Sequence, residues 1–83
     1  MFYVYVLISL STDKLYIGHT NNVERRLTEH NKGKSISTRN RGPWKLIGYI
    51  TLDSRSEAMR IEKRLKSFKR NDRVIAYLAK NSD

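Results

Sequence analysis

The chain has no cysteine, one proline and four glycines, and only eight acidic residues among 83. Without cysteine it can build neither a disulfide framework nor a thiolate zinc site, so packing alone has to hold it together. Long apolar runs are missing as well. The stretch from Phe2 to Leu10 is too short to span a bilayer, has no charged leader and is not followed by a small-residue cleavage site. A cytoplasmic, soluble protein with no membrane partner is expected. No repeat, linker or low-complexity tract interrupts the sequence, and its length suits one domain, residues 1–83, with one modest core.

Scarce acid leaves a large excess of base: 17 Lys and Arg against 8 Asp and Glu, a formal charge of +9. Such a chain is drawn to polyanions, of which nucleic acid is the commonest in a cell. An anionic membrane surface would instead ask for a basic helix with a broad exposed apolar face, and the helices here need their apolar faces for the core. The bland alternative is that the charge serves solubility.

Phe2 to Ile8 is rich in aromatic and β-branched residues and reads as a strand. Tyr3, Tyr5 and Leu7 share one face; Phe2, Val4, Val6 and Ile8 share the other. Both are largely apolar, as in a central strand. Ser11 to Lys14 is turn chemistry, and Leu15-Tyr16-Ile17 returns as a hairpin. Tyr5 and Tyr16 then share a face but are offset by several residues in the simplest register, with a bulge or wider loop needed to close the gap.

Asn21 is the expected cap of a helix running to Asn31, with Glu24 at capping-box spacing. Val23 and Leu27 define its apolar stripe, His30 falls nearly inside it, Arg26 lies on its edge and Arg25 points to solvent. An inward guanidinium needs an anion nearby, either an internal carboxylate such as Glu62 or a phosphate. Lys32 to Pro43 is a polar, basic loop whose Lys32, Lys34, Arg39 and Arg41 are placed to touch a phosphate backbone, with its serines, threonine and asparagine as further contacts. Trp44 to Leu52 reads as a third strand, with Trp44, Leu46 and Ile50 on one face. Ser54 caps a second helix with the stripe Ala58, Ile61, Leu65 and Phe68, bordered by Glu62. A third helix from Asn71 presents Val74, Ile75 and Leu78 and frays towards Asp83. The order β-β-α-β-α-α predicts an α+β fold.

Taken singly, strand tyrosines are packing residues, and a lone histidine at a core edge is more often satisfied than reactive. Taken together, Tyr3-Val4-Tyr5, then Tyr16-Ile17-Gly18, then Arg26, His30 and Glu62 on successive helices, resemble the GIY-YIG nuclease family over nearly the whole chain. The resemblance implies a three-stranded antiparallel sheet flanked by three helices and a metal-dependent DNA endonuclease. The substrate would be cut in a structure-dependent or weakly sequence-selective way, in repair or recombination, with single-stranded, flapped or branched DNA as the target. It also implies roles. Tyr5 and Tyr16 are the motif tyrosines, one of them acting as or assisting the general base. Arg26 neutralises charge on the scissile phosphate, His30 supports proton transfer or orientation, and Glu62 is the sole protein ligand of Mg2+ or Mn2+. One carboxylate suffices for magnesium, which keeps most of its waters and borrows substrate oxygens.

Two departures stand out. Tyr3 occupies the place of the first triplet's glycine, for which a structural consequence is expected, and the late asparagines, Asn71 and Asn81, have no assigned role. Target choice is expected from the Lys32–Arg41 loop, the second helix or a protein partner, the chain itself being a monomer or weak dimer. The rival function is a basic nucleic-acid-binding module that keeps the fold without catalysis, and a weaker one is a protein-interaction domain.

Overall fold

Strand β1 (Phe2–Ser9) is apolar on both faces, and the sheet is built around it. The computed structural model describes residues 1–81, in which β1 is followed by β2 (Leu15–Thr20), α1 (Val23–Asn31), β3 (Trp44–Leu52), α2 (Arg55–Ser67) and α3 (Asn71–Asn81). The sheet order is β2-β1-β3, antiparallel throughout, so β1 pairs on both edges and β2 lies at the rim. This is the expected α+β arrangement of three strands and three helices. The expected fraying of α3 falls partly on Ser82 and Asp83, outside the described residues.

The β1–β2 hairpin turns through Leu10–Asp13. The Ser9 N–H donates to the Lys14 carbonyl (2.9 Å), and Asp13 takes a positive φ of 62°. Tyr16 then pairs with Leu7, and Gly18 pairs with Tyr5. The two tyrosines are therefore one pleat apart, less than the several residues expected from sequence, and no bulge is needed between them. A bulge lies instead between β1 and β3, where Val6 pairs with Gly48 but Leu7 pairs with Leu46. The extra residue, Ile47, reverses the alternation along β3. Trp44 and Leu46 consequently sit on the Tyr5 face, whereas Ile50 joins the opposite core, which corrects the expectation that all three share a face.

One face of the sheet carries Val4, Val6 and Ile50. They are buried against Ala58 and Leu65 of α2 and Val74 and Leu78 of α3, with Ile61, Phe68 and Tyr77 packed at the margin. Ser54 caps α2 as expected, its hydroxyl accepting from the Glu57 N–H (3.2 Å). In α3, Ile75 points outward at 42% exposure, which corrects the expectation that it joins Val74 and Leu78 in the apolar stripe, and Tyr77 packs against the core instead.

The other face carries Tyr5, Leu7 and Trp44, with Val23 and Leu27 of α1 laid over them. Helix α1 starts at Val23 with Asn22, not Asn21, as its cap: the Asn22 side chain accepts from the Arg25 N–H (3.0 Å). The Thr20 hydroxyl accepts from the Asn22 N–H (3.1 Å), which turns the chain so that the second asparagine stands at the helix entrance. Asn31, at the far end, clamps the helix to β3, donating to the Trp44 carbonyl (3.1 Å) and accepting from the Trp44 N–H (2.7 Å).

Candidate functional site

The Tyr5 ring needs a partner strand without a side chain opposite it, and Gly18 supplies one. A Cβ at Gly18 would stand 2.8 Å from the Tyr5 hydroxyl oxygen and 3.1 Å from the Tyr16 ring. With that space open, the Tyr5 and Tyr16 rings approach to 6.2 Å between centroids, and Tyr16 lies 4.8 Å from the His30 ring.

Tyr5 and His30 are 1% and 2% exposed, and neither is left without a partner. The Tyr5 hydroxyl is 2.8 Å from His30 Nε2, and His30 Nδ1 is 2.7 Å from the Thr38 hydroxyl. Burial, reinforced by the neighbouring Arg26 charge, pushes the imidazole pKa down to about 4, so His30 is neutral at physiological pH. A neutral imidazole donates from one nitrogen and accepts at the other. With the proton on Nδ1 it donates to Thr38, and Nε2 accepts from the Tyr5 O–H. Burial, with the nearby Tyr16, pushes the Tyr5 phenol up to about 12, against a smaller opposing pull from Arg26 beside it.

Arg26 is 31% exposed and its Nη1 donates to Glu29 Oε1 (2.9 Å). Glu29, rather than Glu62, is the internal carboxylate that the inward guanidinium requires, and the contact holds the Glu29 carboxyl below its usual range. Glu62 belongs to α2, on the opposite side of the sheet from Tyr5, and meets there His19 of the rim strand, which pairs with Val4 and shares its face. His19 Nδ1 lies 2.6 Å from Glu62 Oε1, and Lys66 Nζ donates to Glu62 Oε2 (2.8 Å). Burial alone would raise the Glu62 carboxyl, but the Lys66 and His19 hydrogen bonds outweigh it and hold the group ionised. Its charge is felt at Tyr5. Among the described residues, however, it makes no hydrogen bond to Tyr5, Tyr16, Arg26 or His30. A polar cavity of about 360 Å³ adjoins Arg26 and is lined also by His19, Asn21, Arg25, Glu29 and Arg55; Tyr5, Tyr16, His30 and Glu62 are not among its lining residues.

A family model described as the GIY-YIG catalytic domain matches residues 1–74. The chain belongs to the GIY-YIG family. A UPF0213 protein of Natronomonas pharaonis is 44% identical over 77 residues, covering 89% of each chain. One from Halobacterium salinarum is 45% identical over 71 residues, 84% of this chain and 91% of its own. The solution NMR structure of a UPF0213 protein from Bacillus halodurans is similar in fold, with a TM-score of 0.58 and 35% identity over 98% of this chain and 87% of that one.

Within the GIY-YIG scaffold, Tyr5, Tyr16, Arg26 and His30 gather on one face, whereas Glu62 lies with His19 and Lys66 on the other side of the rim strand. Lys32, Lys34, Arg39 and Arg41 are all exposed, on a loop that is firmly anchored. Thr38 is buried on His30 rather than free for phosphate, its carbonyl accepts from the Trp44 indole N–H (3.2 Å), and the Arg41 carbonyl accepts from the Ser9 and Ser11 hydroxyls. The side-chain amides of Asn71 and Asn81 are spent on the carbonyls of Asp13 and Tyr77.

Sequence reasoning missed four participants: His19, Glu29, Thr38 and Lys66. Lys66 stands at i+4 from Glu62 and Glu29 at i+3 from Arg26, pairings that helical spacing alone could have offered. His19 directly follows the Tyr-Ile-Gly triplet, but its partner is 43 residues away.

Proposed function

We propose that this protein is an endonuclease that hydrolyses DNA phosphodiester bonds, with Tyr5, Tyr16, Arg26, His30 and Glu62 at its active site. The observation that carries the reading is the buried chain from Tyr5 through His30 to Thr38. Of the two motif tyrosines, Tyr5 is the one with a proton acceptor behind it. We assign it as the general base. It takes a proton from the attacking water while its own passes to His30 Nε2, so that no free tyrosinate has to form in a site that disfavours one.

Arg26 exchanges Glu29 for the scissile phosphate, which uncovers the Tyr5 oxygen and neutralises charge as the pentacovalent transition state forms. The phosphate then offsets the positive charge beside His30 and makes the imidazole a better proton acceptor. Tyr16, half-buried against the His30 ring, orients the water and fixes the imidazole plane. Bond formation from water oxygen to phosphorus is accompanied by departure of the 3′-oxygen.

The donor set fits a hydrated divalent cation. Glu62 is ionised and 19% exposed, and among the described residues its oxygens are held by His19 and by Lys66, the latter 54% exposed. Mg2+ or Mn2+ held by Glu62 would supply charge relief at the leaving oxygen. Lys32, Lys34, Arg39 and Arg41, with Arg25 and Arg55 at the cavity, track the phosphate backbone.

The occupied Glu62 carboxylate favours a second reading, a binding module without turnover. Single-stranded, duplex, flapped and branched DNA, and RNA, incubated with magnesium, manganese or EDTA, separate the two. Cleavage that EDTA abolishes is expected. Salt-sensitive binding with no cleavage under any of these conditions would support the binding module instead.

A further inference from the structure

Tyr3, where the GIY-YIG triplet has its glycine, floors a cavity of about 510 Å³ together with Tyr49, Leu46 and Val23. Tyr3 stands two residues from Tyr5 on the same face of β1, and Tyr49 pairs directly with Tyr5 across β1 and β3. Tyr3 meets Tyr49 edge-on, with centroids 5.7 Å apart and planes at 81°. Both rings are only half-buried, because α1 begins at Val23 and leaves this end of the sheet uncovered. Asn21 lines this cavity and the Arg26 cavity alike, so the two are neighbours.

The lining selects among occupants. Glu24 at the rim repels a phosphate, and among the described residues no cation lines the cavity to hold one. An aromatic floor with a carboxylate and side-chain amides at its edge matches a flat heterocycle that carries N–H donors on its rim. We propose that this cavity is a nucleobase subsite, in which one base next to the cleaved phosphate leaves its stack, lies against the face of one of the two perpendicular rings, Tyr3 or Tyr49, with the other ring as a wall, and turns its donor edge towards Glu24.

The inference rests on the nuclease reading of the adjoining site and narrows its substrate class: the nucleotide at that position is unpaired, as in a single strand, a flap or a branch. A base-paired nucleotide would have to be flipped out of its helix to enter.

The test is binding of a short single-stranded oligonucleotide in EDTA, with one abasic position walked along it. At one position near the cleavage site the missing base should weaken wild-type binding by about tenfold, as loss of one aromatic stack does. Tyr3→Ala and Tyr49→Ala should bind the intact strand about tenfold less well and be indifferent to that abasic position, while Tyr3→Phe behaves as wild type. The wild-type scan needs no variant, so a misfolded Tyr3→Ala does not block the decision. A flat scan, or an abasic effect that persists in both alanine variants, overturns the subsite while metal-dependent cleavage by the same protein leaves the nuclease reading standing. Absence of both binding and cleavage removes the nuclease reading, and the subsite with it.

Discussion

The two faces of the sheet are built from the same three strands to opposite ends. One face, Val4, Val6 and Ile50 under α2 and α3, is closed mainly by aliphatic side chains and, among the described residues, holds no fully buried ionisable group. The other carries Tyr5, His30, Thr38 and Trp44 under a nine-residue helix and an irregular loop. Burying phenol, imidazole and hydroxyl together is tolerable only because each finds a hydrogen-bond partner. On the proposed reading, stability belongs chiefly to the first face and chemistry to the second, with Glu62, on the first face beside His19, acting from behind the rim strand.

That division can be broken by experiment. The largest expected effect is on turnover. Glu62→Ala and Tyr5→Phe should each lower metal-dependent nicking by about a hundredfold or more, the scale of losing one transition-state group, with DNA affinity nearly unchanged. If both variants cut as fast as wild type, the assignment of roles is wrong. Leu65→Ala on the aliphatic face should do the reverse. It should cost about 2–5 kcal/mol in urea unfolding, while the molecules that remain folded keep their cleavage rate.

The buried imidazole gives an effect of intermediate size. Its folded pKa, about 4, lies below the ordinary value of 6.5, so between these values the unfolded chain binds a proton that the folded chain refuses. Stability should therefore fall as pH drops from 6.5 towards 4, by at most about 3 kcal/mol, and His30→Gln should flatten that part of the profile. Arg26, Glu29, Tyr5 and Tyr16 surround the ring, and Glu29, the carboxylate among them, is the group to control with Glu29→Gln. The smallest effect concerns Glu29 itself. Glu29→Gln should free Arg26 for phosphate and tighten single-strand binding a few-fold in fluorescence anisotropy, mostly at low salt.

Much of this was legible from residue order. The two-sided apolar pattern of β1 announced a central strand, and Ser54 with its following stripe announced α2. The ordered set of Tyr5, Tyr16, Arg26, His30 and Glu62 announced the family. What escaped had tertiary causes. Asn21 and Asn22 are equally good caps, and Thr20 decides between them through a hydrogen bond that neighbouring residue types do not specify. The β3 bulge left one trace, an isolated Gly48 within a strand, but nothing to locate the extra residue. Thr38 sits in a stretch so polar and basic that a buried hydroxyl was not to be expected there. His19 and Glu62 meet only because α2 packs across the rim of the sheet.

Gly18 binds two of these lessons into one constraint. Because the phenol of Tyr5 occupies the volume any side chain at 18 would claim, the two positions form a single choice: a tyrosine here obliges the bare backbone there. One methyl group at 18, carrying no charge and no hydrogen bond, would drive the ring off its seat and part the phenol from the imidazole. The reactive face can thus be disarmed without altering a polar atom, and restoring it would mean giving up that methyl rather than adding a new contact.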